Sequence, residues 1–231
     1  MTLPTVVILC GGRGTRLREH GVEVPKPLVE IGGKPILWHV IQSYVAQGAS
    51  RFVLCAGHQW ERIAAFAAEC DVRVECVDTG PDTPTGGRVH RVRDRLDGPF
   101  MVTYADGLAD LDFASLWRFH ATTATVTVVQ PELPFGIAEL EGDRVTGFHE
   151  KPRSEHWING GFFCFEPGVF DYLDDDSTLE REPLERLAAA GELRAFRHRG
   201  FWTCMDTYKD TLRLNDLWAS GRAPRNMPRS D

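Results

Sequence analysis

The 231-residue chain contains no apolar run approaching the ~20 residues that a membrane-crossing helix needs. It opens without a basic, apolar leader, so cytoplasmic residence is the expectation. No Cys-x-x-Cys pair or Cys/His cluster of zinc spacing occurs among the 6 cysteines. Cys10, Cys55 and Cys164 lie in apolar runs, where a thiol acts as a small hydrophobe. Basic residues are outnumbered, 26 against 33 acidic, for a net charge of −7, and this disfavours a nucleic-acid partner. Two glycine signatures are also missing. There is no Gly-x-Gly-x-x-Gly of a dinucleotide fold and no Gly-Lys-Ser/Thr of a Walker loop. These gaps argue against an NAD enzyme and a kinase.

What the chain does have begins at Val6. Val6-Val7-Ile8-Leu9 is apolar at every position, the pattern of a strand buried on both faces. It runs into Cys10-Gly11-Gly12-Arg13-Gly14-Thr15-Arg16. Glycines there let backbone N–H groups approach an anion, and the two arginines add charge suited to phosphate oxygens. Lys26 follows, held between Pro25 and Pro27. A glycine turn alone is an ordinary strand-to-loop connection, and a lysine alone is a solvated charge. Together, directly after a buried strand, they point to a nucleotide site.

Strand and helix signals alternate through the first half. Pro35 to Gln47 reads as an amphipathic helix stopped by Gly48, Arg51 to Ala56 as a strand, and His58 to Ala68 as a helix. Strands are expected at Val72 to Val77, Phe100 to Tyr104 and Ala124 to Val129, with a helix from Asp112 to Thr122. This order predicts an α/β fold with a doubly wound, mostly parallel, Rossmann-like sheet. The second half predicts a hairpin, Gly136 to Leu140 with Arg144 to Glu150, and strands at Asn159 to Phe165 and Leu193 to His198. Helices are expected at Glu182 to Ala190 and Thr207 to Ala219. Residues 1–231 read as one domain with a small C-terminal substrate-binding portion and a loose tail from 221.

Gly11 to Arg16, Pro25 to Leu37 and Glu150-Lys151-Pro152 resemble the sugar-1-phosphate nucleotidylyltransferases. Asp78-Thr79-Gly80, Thr85-Gly86-Gly87-Arg88, Tyr104-Ala105-Asp106-Gly107, Ile158 to Phe163 and Met205-Asp206-Thr207 extend the resemblance from about residue 5 to about 219. Within that family the similarity is greatest to the branch that joins CTP to glucose 1-phosphate.

The resemblance implies attack of a sugar 1-phosphate on the α-phosphorus of CTP, release of pyrophosphate, and formation of a nucleotide sugar. It assigns catalysis to Arg16, Lys26 and Asp106. Nucleotide contacts fall to Cys10, Gly11, Gly12, Arg13, Gly14, Thr15, Arg16, Lys26, Thr85, Gly86, Arg88 and Asp106. Arg88 is implied to donate to the cytosine carbonyl. Tyr104, Gly136, Glu150, Lys151, Asn159 and Gly160 are implied to hold the sugar phosphate. Asp106 and Asp206 are implied to share Mg2+, a hard ion suited to carboxylate and phosphate oxygens. A turn residue and an N-cap are the plain structural alternatives for these two aspartates.

The chain departs from that branch in three places. The stretch between Ala68 and Asp78 is shorter, Ala105 replaces a glycine, and the loop Gln130 to Gly136 differs. Base recognition, sugar identity and assembly into a homo-oligomer are thereby left open. The competing readings are another phosphorylated acceptor, UTP in place of CTP, or a silent nucleotide-binding regulatory domain.

Overall fold

The computed structural model describes residues 2–14 and 24–221. At its centre stands a 7-stranded sheet. β1 (Val6–Leu9) lies in the interior, paired in parallel with β4 (Arg51–Ala56) on one side and β6 (Phe100–Tyr104) on the other. β5 (Arg73–Asp78) forms one edge, parallel to β4. Beyond β6 come β11 (Ile158–Phe165), β8 (Ala124–Val129) and, at the other edge, β12 (Leu193–Arg197). β11 runs antiparallel to both neighbours, while β12 and β8 are parallel. The sheet is mostly parallel, as the alternation of elements predicts. The reversal at β11 is not visible in sequence, because strand direction depends on which neighbour a long connection reaches.

Alternate side chains of each central strand feed opposite cores. Val6, Ile8, Phe52, Leu54, Met101, Phe162 and Cys164 enter one. Val7, Leu9, Val53, Cys55, Val102, Phe163 and Phe165 enter the other. This is why these strands are apolar throughout. The first core is covered by α1 (Ile36–Val45), which follows the short strands β2 (Glu30–Ile31) and β3 (Lys34–Pro35), and by α2 (Trp60–Ala68). Pro35 caps α1 rather than opening its first turn. The second core is covered by α3 (Thr85–Arg91) and α5 (Glu182–Ala189). The sequence reading did not predict α3, whose adjacent Gly86 and Gly87 look like a break.

β7 (Gly107–Ala109) pairs with β13 (Trp202–Cys204), and α4 (Phe113–Phe119) and α6 (Tyr208–Ala219) follow them. The expected hairpin is present as β9 (Ile137–Glu141) and β10 (Arg144–His149), with most of its residues exposed. Among the described residues no helix is long and apolar enough to cross a membrane. The tail beyond 221 lies outside the described residues.

Asp112 caps α4, accepting the Ser115 N–H at 2.8 Å and its hydroxyl at 2.6 Å. The hydroxyl and then the N–H hold the Asp112 carboxyl below its ordinary pKa. A carboxyl lowered by folding stabilises above its unfolded pKa, and that contribution fades as pH falls through the folded value. Asp112→Ala is therefore expected to cost about 1 kcal/mol near neutral pH. The gap in Tm between parent and variant should narrow on acidification; a gap independent of pH would show that the cap does not act through its charge.

Candidate active site

Chain order reverses beside β1: the connections run out through β4 to β5, then return to β6 on the other side. Open α/β sheets bind ligands at such a switch point, beyond the carboxyl ends of the strands. A cleft of ≈ 390 Å³ opens there, lined by Leu9, Cys10, Gly12, Gly14, Lys26 and Pro27 from the first segment. Thr83, Pro84, Thr85 and Arg88 form a second wall, and Tyr104, Ala105, Asp106 and Asp206 a third.

Lys26 begins a short 3-10 turn, Lys26–Leu28, closed by the Leu28 N–H bonded to the Pro25 carbonyl at 2.8 Å. Its ammonium bridges the carboxylates of Asp106 and Asp206, the latter at 2.6 Å. Burial would lower the Lys26 pKa, but Asp106 and then Asp206 outweigh it, so the net shift is upward. Lys26 is fully charged at neutral pH.

Asp106 follows β6, one residue past Ala105, whose N–H bonds the Leu9 carbonyl at 3.3 Å. Asp206 arrives from a different direction. The β7–β13 pairing and a bond from the Met205 N–H to the Asp106 carbonyl at 3.0 Å place it opposite. It is not the N-cap of α6. Thr207 takes that task in a capping box with Asp210, leaving the Asp206 carboxylate turned to Lys26. Two carboxylates meeting at one cation are oxygen donors of the kind Mg2+ takes together with phosphate oxygens, and among the described residues no third metal-binding side chain joins them. The nearby Cys204 thiol, pushed up to about 12 by burial and then by Asp206, stays protonated and points to Asp206 at 3.5 Å.

The glycine turn is tied to the second wall through Arg88, which is buried. One terminal nitrogen donates to the Ala56 carbonyl at 3.0 Å, the Thr79 hydroxyl at 2.7 Å and the Gly80 carbonyl at 2.9 Å. The other donates to the Gly11 carbonyl at 3.1 Å and the Pro81 carbonyl at 3.4 Å. A side chain at Gly11 would overlap the guanidinium, its Cβ 2.0 Å away. Arg88 thus fastens three segments together, a framework task the sequence did not suggest. Gly86, implied to face the base, is small for another reason. Its Cβ would sit 2.7 Å from the Ser177 carbonyl, so the loop after β11 packs directly on α3.

The remaining assignments divide clearly. Cys10, Gly12, Gly14, Lys26, Thr85, Arg88, Tyr104, Asp106 and Asp206 share the cleft. Gly11 stands just behind it, bonded to Arg88, and Arg13 pairs with Asp82 at 2.5 Å on the surface. Thr15 and Arg16 lie outside the described residues. Asn159 approaches Tyr104 at 3.5 Å, and Gly160 accepts the Trp202 indole N–H at 2.8 Å. Gly136, Glu150 and Lys151 are not among the cleft-lining residues. Gly136 packs under the Phe148 ring, and Glu150 and Lys151 form an exposed pair at 4.0 Å beyond β10.

The sequence reading missed Glu180, although its carboxylate bonds two cleft residues, Thr85 and Tyr104. Within Leu179-Glu180-Arg181-Glu182 it looks like one more charge before a helix.

Known proteins resemble this chain in sequence and in fold. Glucose-1-phosphate cytidylyltransferase of Salmonella typhi is 43% identical, with 94% of this chain and 97% of that protein covered. Its alignment runs over 249 positions, more than the 231 residues here, so the relative carries inserted residues. A probable glucose-1-phosphate cytidylyltransferase of Bacillus subtilis (strain 168) is 39% identical, over 94% of this chain and 96% of that one. Among solved structures, HddC from Yersinia pseudotuberculosis superposes with a TM-score of 0.76 at 23% identity, over 94% of this chain and 100% of that one, a likeness of fold. The nucleotidyl transferase family matches residues 5–219, and with the Salmonella relative, covered over nearly its whole length, this places the chain in that family, as a nucleotidyltransferase enzyme.

Proposed function

We propose that the protein transfers CMP from CTP to glucose 1-phosphate, with Mg2+, releasing pyrophosphate. The observation that carries this reading is the convergence of Lys26, Asp106 and Asp206 at the switch point of the sheet. The names of the Salmonella and Bacillus relatives support CTP and glucose 1-phosphate over other pairs.

In this reading a phosphate oxygen of the sugar phosphate forms a bond to the α-phosphorus. The bond from that phosphorus to the bridging β-phosphate oxygen breaks, and its electron pair leaves with pyrophosphate. The glycine turn presents backbone N–H groups to the triphosphate. Lys26, held rigidly by its prolines, brings fixed positive charge to the phosphorus where negative charge builds up. Asp106 and Asp206 would hold the Mg2+, which supplies further charge neutralisation at the phosphates. The two anionic reactants are thereby oriented in one cleft, which lowers the entropic part of the barrier.

A matrix of CTP, UTP, ATP and GTP against several sugar 1-phosphates, read by pyrophosphate release, tests the assignment. CTP with glucose 1-phosphate should give the highest kcat/KM. A better acceptor or UTP preference would move the substrate assignment, and no turnover with any pair would leave a silent binding domain.

Lys26→Ala is expected to lower kcat by about 3–4 kcal/mol, a factor of 10²–10³, with the fold retained. Activity within about threefold of the parent would remove Lys26 from the chemistry. Asp106→Asn and Asp206→Asn should each shift the Mg2+ titration of activity to higher concentration, because a charged oxygen ligand is lost. Unchanged titrations in both would discard the shared-metal reading.

Arg88→Ala is expected to lose both stability, by at least ~2 kcal/mol, and nucleotide affinity, since several buried carbonyls lose a charged donor. Thermal melting with and without CTP checks this. A variant that melts like the parent yet binds CTP poorly would instead give Arg88 a direct contact with the nucleotide and little framework role.

A further inference from the structure

The second and third walls of the cleft are joined from outside by a single carboxylate. Glu180 lies in the segment that leads into α5. One of its oxygens accepts the Thr85 hydroxyl at 2.6 Å, and the other accepts the Tyr104 hydroxyl. Both hydroxyl-bearing residues line the cleft.

The segment carrying Glu180 is firmly seated. The Gly87 N–H bonds the Ser177 carbonyl at 3.0 Å, and the Leu179 N–H bonds the Thr85 hydroxyl oxygen at 2.9 Å. Asp175 pairs with Arg91 at 3.2 Å and lies 3.0 Å from His90.

An ionised carboxylate accepts hydrogen bonds and cannot donate one. A hydroxyl has one proton, so Thr85 and Tyr104 each spend theirs on Glu180. What each oxygen still offers is lone-pair density, part of which at Thr85 is already taken by the Leu179 N–H. Among the described residues the Tyr104 oxygen accepts only a long contact, 3.5 Å, from the Asn159 amide, so it keeps acceptor capacity.

We propose that Glu180 is a positioning residue that sets the hydrogen-bond polarity of the Thr85–Tyr104 wall, so that the cleft favours a ligand presenting an N–H or O–H donor there. The inference rests on the cleft being the site for nucleoside triphosphate and sugar phosphate. Such donors are the exocyclic amine of cytosine, where uracil has a carbonyl, the ribose hydroxyls of the nucleotide, and the hydroxyls of the sugar phosphate. A ligand that brings an acceptor to this wall faces lone pair against lone pair, and discrimination of this kind comes from what is rejected as well as what is bound.

Glu180→Gln separates polarity from packing. Its amide is nearly the same shape, but one end accepts and the other donates. One of the two hydroxyls is then released to turn its proton into the cleft. The measurement is kcat/KM for CTP, its ribose-deoxy analogues and UTP with glucose 1-phosphate, and for glucose 1-phosphate and its single-deoxy analogues with CTP. The expected result is a compression of one of these ratios by about tenfold, roughly the worth of one hydrogen bond to a charged or well-buried group. A changed CTP/UTP ratio places the donor on the base; a changed CTP/deoxy-CTP ratio places it on the ribose, and a changed sugar/deoxy-sugar ratio on the sugar phosphate.

Tyr104→Phe removes one acceptor and should compress the same ratio, which keeps the test open if Glu180→Gln folds poorly. Ratios within about twofold of the parent in both variants would overturn the proposal. So would an equal loss on every substrate, the mark of damaged packing alone. If the parent itself releases no pyrophosphate with any pair, the enzymatic reading falls and this inference with it; an active parent with unmoved ratios removes the inference alone.

Discussion

The site depends on a charge constraint at the carboxyl ends of two strands that belong to different sheets. Asp106 leaves β6 and Asp206 leaves β13, and their carboxylates face each other at the mouth of a cleft. Two like charges brought together this way require a cation between them. Lys26 meets that requirement, and the surrounding structure holds it there. Proline on either side stiffens the backbone, a Cβ added at Gly14 would come within 3.1 Å of the Lys26 Cβ, and the capping box at Thr207 keeps Asp206 from turning away to serve α6. Sheet topology decides where this occurs, because the chain reverses its order across the sheet beside β1.

Three walls of different origin enclose the cleft. The glycine turn is local, encoded in a few consecutive residues. The α3 wall is held by Arg88 and by the loop carrying Ser177, both distant in sequence from the turn. The third wall comes from β6 and from the segment after β13. Glu180 then links the second wall to the third. Recognition of a ligand in such a cleft depends on contacts between parts of the chain that are far apart.

Legibility followed that division. Val6 to Gly14, Lys26 and Asp106 stand out in the sequence because each has its meaning within a few residues: a strand, a turn, a clamp, a strand end. The sheet strands were readable from apolar runs, and Asp112 from its place before a helix. Helix α3 was not, because Gly86 and Gly87 lower helix propensity, and only the Ser177 and Asp175 carbonyls packed against them explain the glycines. Arg88 reads as a donor to a nucleotide base, yet its partners lie at Gly11, Ala56 and Gly80. Glu180 reads as solvated, yet it contacts Thr85 from 95 positions away. The direction of β11 was likewise invisible, since nothing in Ile158 to Phe165 states which strand it will meet.

The reach of Arg88 also couples the cleft to the rim of the molecule. The segment Thr79 to Pro81 that it grips continues directly from β5, an edge strand held to the sheet along one side only. Edge strands are where local opening costs least. Peeling β5 away would pull those acceptors from the guanidinium and loosen the turn at Gly11 on its far side. A ligand that requires the intact turn binds the closed form alone, and by linkage it protects what it needs. Occupancy of the cleft should thus register as slowed amide exchange along a strand that the ligand never touches.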